Sequence, residues 1–274
     1  MPELPEVETV RRHLAGVVEK RRLIDVQLRH PRLGRRHPDP AMVESRLLDQ
    51  VVETVGRRGK FILARLRSGL TWVMHLGMSG RVTIARPGDP EAPHTHFLVT
   101  TDRGDEVRLV DPRTFGFVAV MTIEELADQL HLGPDALDEL PGSRQLSDRL
   151  ANRKAPIKSM LLDQRLIAGL GNIYADEVLY RARVRPTRPA GEVEPAELVK
   201  LRAAIRPLLQ AGIRSGGTSL NDLAYLLPDG RAGDFRRRLA VYGREGEPCL
   251  RCGNPIERVT VGGRSSFFCP RCQV

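Results

Sequence analysis

The 274-residue chain contains no run of about 18 apolar residues, the length a helix needs to cross a bilayer, so no transmembrane helix is expected. A secretory leader is missing as well. The opening MPELPEVETV has neither a basic start nor an apolar stretch, which makes the cytoplasm the expected compartment. Cysteine is scarce, with four residues in all, the first at position 249. A chain of this length builds a sizeable core without disulfide staples. No internal repeat is present, which excludes a repeat array. What the chain does have is 41% hydrophobic and 28% charged residues. That balance fits one large globular domain or two ordinary ones and is too apolar for a disordered chain.

The formal net charge is +9, and it is unevenly spread. Residues 1–150 hold 22 basic and 22 acidic side chains, whereas residues 151–274 hold 21 and 12. All the excess positive charge therefore lies in the second part. Such a bias is the footprint of a surface for nucleic acid or anionic membrane, although charge alone fits a solvated basic face equally well. Residues 121–150 carry 2 basic and 7 acidic side chains, so residues 1–120 are positive by 5.

The pattern along the chain is α+β. A helix is expected from Pro5, with Glu6 and Glu8 in its first turn and Val7, Val10, Leu14, Val17 and Val18 at helical spacing. Short strands follow. Residues 60–66 and 70–75 flank Ser68-Gly69, and residues 97–101 and 106–110 flank Asp102-Arg103-Gly104. These are hairpin signals, and their spacing suggests a β-sandwich or barrel. Residues 86–96 read as a loop. The acidic zone 121–150 holds a short amphipathic helix and then LGPDALDELPGS, read as an interdomain link. Beyond it Ile157, Met160 and Leu161, then Leu198, Leu201, Ile205, Leu208 and Leu209, form apolar helical stripes. Asn172, after the Gly169-Leu170-Gly171 break, is a candidate N-cap.

Cys249, Cys252, Cys269 and Cys272 form two C-x2-C pairs separated by 16 residues. Each pair sits on a tight turn, so four thiolates can surround a tetrahedral Zn²⁺. Two disulfides or a redox pair are the alternatives. A cytoplasmic setting speaks against the first, and the lack of a βαβ pattern against the second. Four cysteine ligands leave no open position, so the metal is structural. Residues 256–268, with Gly262-Gly263 midway, should form a β-hairpin that carries Arg264 near its tip.

Pro2 follows the initiator methionine, and removal of Met1 would leave a secondary amine. An α-amino group titrates near about 7.7–8.0, so a useful fraction is neutral at pH 7. The positive end of the helix that starts at Pro5 disfavours the ammonium form further. A neutral secondary amine can attack a carbonyl-like carbon and give a charged iminium. Glu3 and Glu6 lie beside it as proton donors or water positioners. The same MPELPE is also readable as a plain helix leader.

Taken together, MPELPEVETV, RRGKF (57–61), HLGMSG (75–80), DPRTFG (111–116), GLGNIYADEVL (169–179), GGTSL (216–220), VYGREGEPC (241–249) and GRSSFFCPRCQ (263–273) resemble the formamidopyrimidine-DNA glycosylase family. The resemblance runs from residue 1 to 273. It implies an N-terminal two-layer β-sandwich with a flanking helix, a helix–two-turn–helix domain and a β-hairpin zinc finger, with DNA in a positive cleft between domains. With that, the expected division is 1–135 for the sandwich, 136–150 for a linker, 151–240 for the helical DNA-binding domain and 241–274 for the finger. The implied activity is excision of oxidised purines, 8-oxoguanine opposite cytosine and formamidopyrimidines, from a nucleotide flipped out of the duplex, followed by β,δ-elimination.

Carried over by position, Pro2 would attack C1′ and form the Schiff base, and Glu3 would supply the proton that opens the sugar, with Glu6 in support. Lys60 and Arg264 would grip phosphate near the lesion, and His75, Asn172 and Tyr242 would add backbone contacts. Gly169 and Gly171 would turn backbone N–H groups toward a phosphate. Met78, Arg113 and Phe115 would fill the hole left by the base, two as apolar wedges and Arg113 on the orphaned cytosine. Residues 217–233, with Asp229-Gly230, match a lid over the lesion base. Thr114 stands where many family members carry a second basic residue, which bears on recognition of the opposite base. The implied partners are double-stranded damaged DNA and one structural zinc, with no membrane and no nucleotide cofactor, and a monomer is expected. Two other readings compete. An endonuclease VIII-like enzyme for oxidised pyrimidines would share Pro2 and Glu3, but that branch typically has Gly at the position of Leu4. A non-enzymatic DNA-binding protein would leave the N-terminal segment unexplained.

Overall fold

The first helix forms where its signals stand. In the computed structural model, which describes residues 2–219, 226–228 and 230–274, α1 runs Leu4–Val18, with Glu3 as N-cap and Pro5 in the first turn. Proline is tolerated there because first-turn N–H groups have no partner inside the helix. Val7, Val10, Leu14 and Val18 make its buried face.

Eight strands follow, β1 Leu23–Leu28, β2 Val52–Arg58, β3 Phe61–Leu66, β4 Thr71–His75, β5 Arg81–Ala85, β6 Thr95–Thr101, β7 Glu106–Val110 and β8 Phe117–Met121, with helix α2 Met42–Leu47 between β1 and β2 and α3 Ile123–Leu130 after β8. They form two antiparallel sheets of order β1-β6-β7-β5 and β2-β3-β4-β8. Val26, Phe97, Val99 and Leu109 of one sheet share a core with Ile62, Trp72, Met74 and Val118 of the other and with the α1 stripe. This is the expected two-layer sandwich. The two-residue period of a strand explains its second face. Trp72 and Met74 point inward, while Val73 joins Phe117, Ala119 and Met121 under Leu126 and Leu130 of α3.

The chain divides into two units, Met1–His131 with Ile213–Arg236, and Leu132–Gly212 with Arg237–Val274. The expected continuous segment 151–240 is thus interrupted. The reason lies in the interior of the first unit: Leu227 is buried in the sandwich core, and the Thr218 N–H is bonded to Glu6. The second unit contains α4 Ser143–Leu150, α5 Ile157–Leu162, α6 Asn172–Ala182 and most of α7 Pro195–Arg214, then the hairpin of β9 Glu257–Val261 and β10 Arg264–Phe268. α4 lies within the stretch expected to be a link, and its Leu146 and Leu150 are buried. Gly262 and Gly263 take φ of 56° and 75° in the hairpin turn, the left-handed pair that a two-residue turn requires. Among the described residues no helix is long and apolar enough to cross a membrane.

Two loops of the sandwich pack backbone on backbone. Gly77 has φ 61°, and a Cβ there would lie 2.4 Å from the Gly116 nitrogen and 2.5 Å from the Phe115 carbonyl carbon. Gly77→Ala is therefore expected to lower stability by about 2 kcal/mol or more. Thermal unfolding measures this, and an unchanged Tm would contradict the contact.

Candidate functional site

Pro2, Glu3 and Glu6 are all buried at the start of α1. Glu6 sits one turn into the helix. Its Oε2 accepts the Glu3 N–H at 2.9 Å, the return half of a capping box, and its Oε1 accepts the Thr218 N–H at 2.7 Å. Burial, then the negative charge of Glu3, pushes this carboxyl up to about 7, against the pull of the backbone donors. Near neutral pH it can therefore both hold and release a proton. Part of the expected lid, residues 220–225 and Asp229, lies outside the described residues. Its flanks are tied together: the Gly233 N–H donates to Ser219 Oγ at 2.8 Å, and the Phe235 N–H to the Gly217 carbonyl at 3.1 Å.

Lys60 and His75 meet at one end of the second sheet. Arg58 pairs with Phe61, so Gly59-Lys60 is the turn itself, and Lys60 precedes the strand it was expected to open. His75 is paired with Phe61 on one side and Phe117 on the other, with ring centres at 4.7 and 5.6 Å. Burial, then the Lys60 charge, lowers its pKa to about 4. The ring is neutral at pH 7. Its Nδ1 accepts the Gly77 N–H at 3.2 Å, which assigns the ring proton to Nε2. His75 thus offers an N–H donor suited to a phosphate oxygen.

Met78 and Phe115 are 41% and 38% exposed, and Arg113 is exposed, so none of the three is core. The Arg113 guanidinium lies over the Phe115 ring at 4.5 Å. Buried Asp111 shapes their loop: it accepts Ser79 Oγ at 2.6 Å and the N–H groups of Arg113 at 3.3 Å and Gly116 at 2.7 Å. Arg35 adds a bond to the Phe115 carbonyl at 2.9 Å, and Arg36 lies over Phe117 at 4.9 Å. Sequence reasoning gave Asp111 no role of its own and did not single out Arg35 or Arg36, although the basic run PRLGRRH (31–37) was the available signal.

In the second unit the Sγ atoms of Cys249, Cys252, Cys269 and Cys272 all lie within 4.8 Å of one another. A ZnS₄ tetrahedron with bonds of about 2.3 Å has edges of about 3.8 Å, so the cluster fits one zinc ion. The N–H groups of Arg251 and Cys272 point at Cys249 and Cys269 Sγ, both at 3.4 Å, which offsets thiolate charge.

Arg264 opens β10 and is exposed. Asn172 is not the N-cap of α6; Gly171 is. The Asn172 amide turns sideways instead and donates to the Ser265 carbonyl at 3.0 Å and to Tyr242 Oη at 3.4 Å, while its Oδ1 is buried with no protein partner. The Gly169 N–H does not face outward as expected, because Gln164 Oε1 takes it at 2.9 Å. Tyr242 lies edge-on to Phe267 at 5.1 Å. Its backbone is held by Glu177 of α6, whose carboxylate accepts the N–H groups of residues 240–242 at 2.9–3.0 Å. Glu177 was not picked out from sequence, because nothing local marks a helical glutamate that bonds a segment 63 residues away.

A β-sandwich with a buried Pro-Glu start, together with a helical unit that bears a hairpin closed by four cysteines, defines the class of two-unit zinc-finger proteins with a helix–two-turn–helix module. Three family models match: the formamidopyrimidine-DNA glycosylase N-terminal domain over residues 1–118, its H2TH domain over 132–223, and the zinc finger found in FPG and IleRS over 246–274. The formamidopyrimidine-DNA glycosylase of Gluconobacter oxydans is 46% identical over the whole of both chains, and that of Pelotomaculum thermopropionicum 43% over this chain and 99% of its own. Among solved structures, the Lactococcus lactis Fpg in complex with abasic-site DNA superposes at TM-score 0.91, with 30% identity and 99% of each chain covered. The Fpg of Thermus thermophilus gives 0.89, with 41% identity over 99% of this chain and 98% of that one. The chain belongs to the formamidopyrimidine-DNA glycosylase family.

Two outcomes follow from this geometry. Glu6 titrates higher folded than unfolded, so its contribution to stability is full below the ordinary carboxylate range and is lost as pH rises through about 7. From about pH 5 to about pH 8, the Tm of the parent should fall relative to that of Glu6→Gln; parallel Tm curves would contradict the buried, raised carboxyl. Chelation of zinc should abolish amide protection in residues 249–273 while the sandwich strands stay protected by hydrogen exchange. Retained protection in the hairpin would contradict a structural metal.

Proposed function

We propose that this chain is a base-excision-repair glycosylase and AP lyase that removes oxidised purines, 8-oxoguanine opposite cytosine and formamidopyrimidines, with Pro2 as its nucleophile. The observation that carries the reading is the buried Pro2-Glu3 pair at the head of α1, with a Glu6 carboxyl poised near neutrality one turn away. Once Met1 is removed, the Pro2 nitrogen bonds to C1′ of the damaged nucleotide as the bond from C1′ to the base breaks, and the proton that the nitrogen sheds goes to the departing base. Glu3 donates a proton to the ring oxygen as the sugar opens, which leaves an iminium on Pro2. Glu6 supports this site. Elimination of the phosphates on both sides then cuts the strand.

Lys60 and Arg264 act beside this chemistry by gripping phosphate, and His75, Asn172 and Tyr242 add DNA contacts. The neutral Nε2–H of His75 and the exposure of Arg264 support these roles. Asn172 contributes first as a brace, since its amide hydrogens already serve Ser265 and Tyr242. Met78, Phe115 and Arg113, exposed on a loop fixed by Asp111, fill the space left by the extruded base. Their pattern, with Leu4 after Glu3, favours oxidised purines over pyrimidines. The domain roles we assign are catalysis to 1–135, linkage to 136–150, DNA binding to 151–240, of which residues 213–236 pack with the catalytic unit, and zinc binding to 241–274. Zinc carries no chemistry, because its four thiolates leave no open position. We place the enzyme as a monomer in the bacterial cytoplasm, acting on chromosomal DNA without a nucleotide cofactor; the bacterial relatives support that compartment.

Base release from duplexes with a single 8-oxoguanine opposite cytosine or a single thymine glycol, assayed side by side, tests this function. The purine should be released faster, and Glu3→Gln should slow its release by about 10²–10⁴-fold. Faster release of thymine glycol would overturn the substrate assignment, and an undiminished Glu3→Gln would overturn the role of Glu3.

A further inference from the structure

Two opposite charges lie deep in the second unit. Lys158 on α5 and Asp176 on α6 are fully buried, with Nζ and Oδ1 2.9 Å apart. Neither belongs to the zinc site or to the DNA contacts assigned above. Replacing a buried ion pair with apolar residues of similar volume is often neutral or stabilising. The pair is therefore weak evidence of a stability device, and its geometry is the better guide to its role.

Further bonds of the pair converge on one strand. Lys158 Nζ donates to the Ser265 carbonyl at 2.8 Å. Asp176 accepts Ser266 Oγ at 2.8 Å and the Phe267 N–H at 2.9 Å. Asn172, one turn earlier on α6, donates to the same Ser265 carbonyl at 3.0 Å. These bonds grip three consecutive residues of β10, and the residue just before them is Arg264. On its other side Arg264 pairs with Val261 of β9 across the Gly262-Gly263 turn. The hairpin therefore carries Arg264 as one piece, and the grip on Ser265, Ser266 and Phe267 sets where that piece lies along α5 and α6. Apolar side chains could hold α5 and α6 together, but they would not fix how far β10 slides along them. A charge pair with directional hydrogen bonds to successive backbone and side-chain groups does.

We propose that the Lys158–Asp176 pair is a positioning element for Arg264, holding β10 so that its guanidinium meets a DNA phosphate. The inference rests on the reading of Arg264 as a phosphate contact. It gives a role in the DNA reaction to two buried residues that touch no nucleic acid.

The test is a double-mutant cycle on the zinc-loaded full chain, with lesion-duplex affinity and its salt dependence as readouts. Arg264→Ala should weaken binding by about tenfold or more and reduce the slope of log affinity against log salt by about one phosphate contact. Asp176→Asn should reproduce both effects, with kcat at saturating DNA changed much less than KM. Adding Arg264→Ala to Asp176→Asn should then cost nothing further. Ser266→Ala, a milder change to the same grip, should give a smaller loss in the same direction, and it carries the test if Asp176→Asn does not hold one zinc per chain. A loss in Asp176→Asn that multiplies with that of Arg264→Ala, or a salt slope like the parent's, overturns the proposal and leaves the DNA reading of Arg264 intact. If Arg264→Ala alone binds like the parent, that reading fails, and the proposal falls with it for a distinguishable reason.

Discussion

The proposed chemistry depends on a carboxyl group kept out of water at the first turn of a helix. Glu6 is 2% exposed, and burial raises its pKa to about 7 against the pull of backbone N–H donors. One of those donors belongs to Glu3, its neighbour in the proposed reaction. Another belongs to Thr218, on a segment that returns to the sandwich after the chain has built most of the helical unit. A single side chain thus orders the N-terminal residues and fixes where residue 218 lies. The helix N-terminus favours the negative form of Glu6, while burial and the Glu3 charge favour the neutral one. Burial and the Glu3 charge outweigh the backbone donors, and the net rise brings the group to about 7, near working pH, which suits proton handling beside an amine nucleophile.

The second unit applies the same physics to a different task. Consecutive acids of α6, Asp176 and Glu177, turn to different partners: Asp176 holds β10, and Glu177 holds the backbone of residues 240–242. Both are buried carboxylates whose oxygens are taken up by hydrogen bonds, the condition under which buried charge is tolerated. The four cysteines close the base of the hairpin while Asp176 grips its second strand. Arg264 and Tyr242, two of the side chains we assign to DNA, are held through these frameworks; Arg264 is exposed, whereas Tyr242 packs on Phe267.

Local signals made much of this legible. The proline and acids at the start of α1, the turns at Ser68-Gly69, Asp102-Arg103-Gly104 and Gly262-Gly263, and the C-x2-C pairs each specify structure within a few residues, and each element formed where they stand. The resemblance then supplied the roles that chemistry alone left open at Lys60, Met78 and Phe115. Long-range structure was not legible. Lys158 and Asp176 carried no mark in the sequence, since their partners lie on a hairpin 107 and 90 residues on. Asn172 was misplaced for the same reason, since an asparagine after a glycine looks like a cap until Ser265 claims its amide; Gly169 was a local miss, its N–H taken by Gln164 five residues earlier. Residues 213–236 return to the first unit with Leu227 in the sandwich core and the Thr218 N–H on Glu6, contacts that the GGTSL motif and the expected lid did not announce.

The most direct test of the central claim is borohydride trapping on a duplex with one 8-oxoguanine opposite cytosine, with peptide mapping of the adduct. Borohydride reduces an imine or iminium to a stable amine, so the trapped bond records which nitrogen formed it. The account predicts a covalent complex mapped to Pro2 in a chain that has lost Met1. An adduct on a lysine, or tight binding to the same duplex without any trapped complex from a chain shown by mass spectrometry to begin at Pro2, would contradict it.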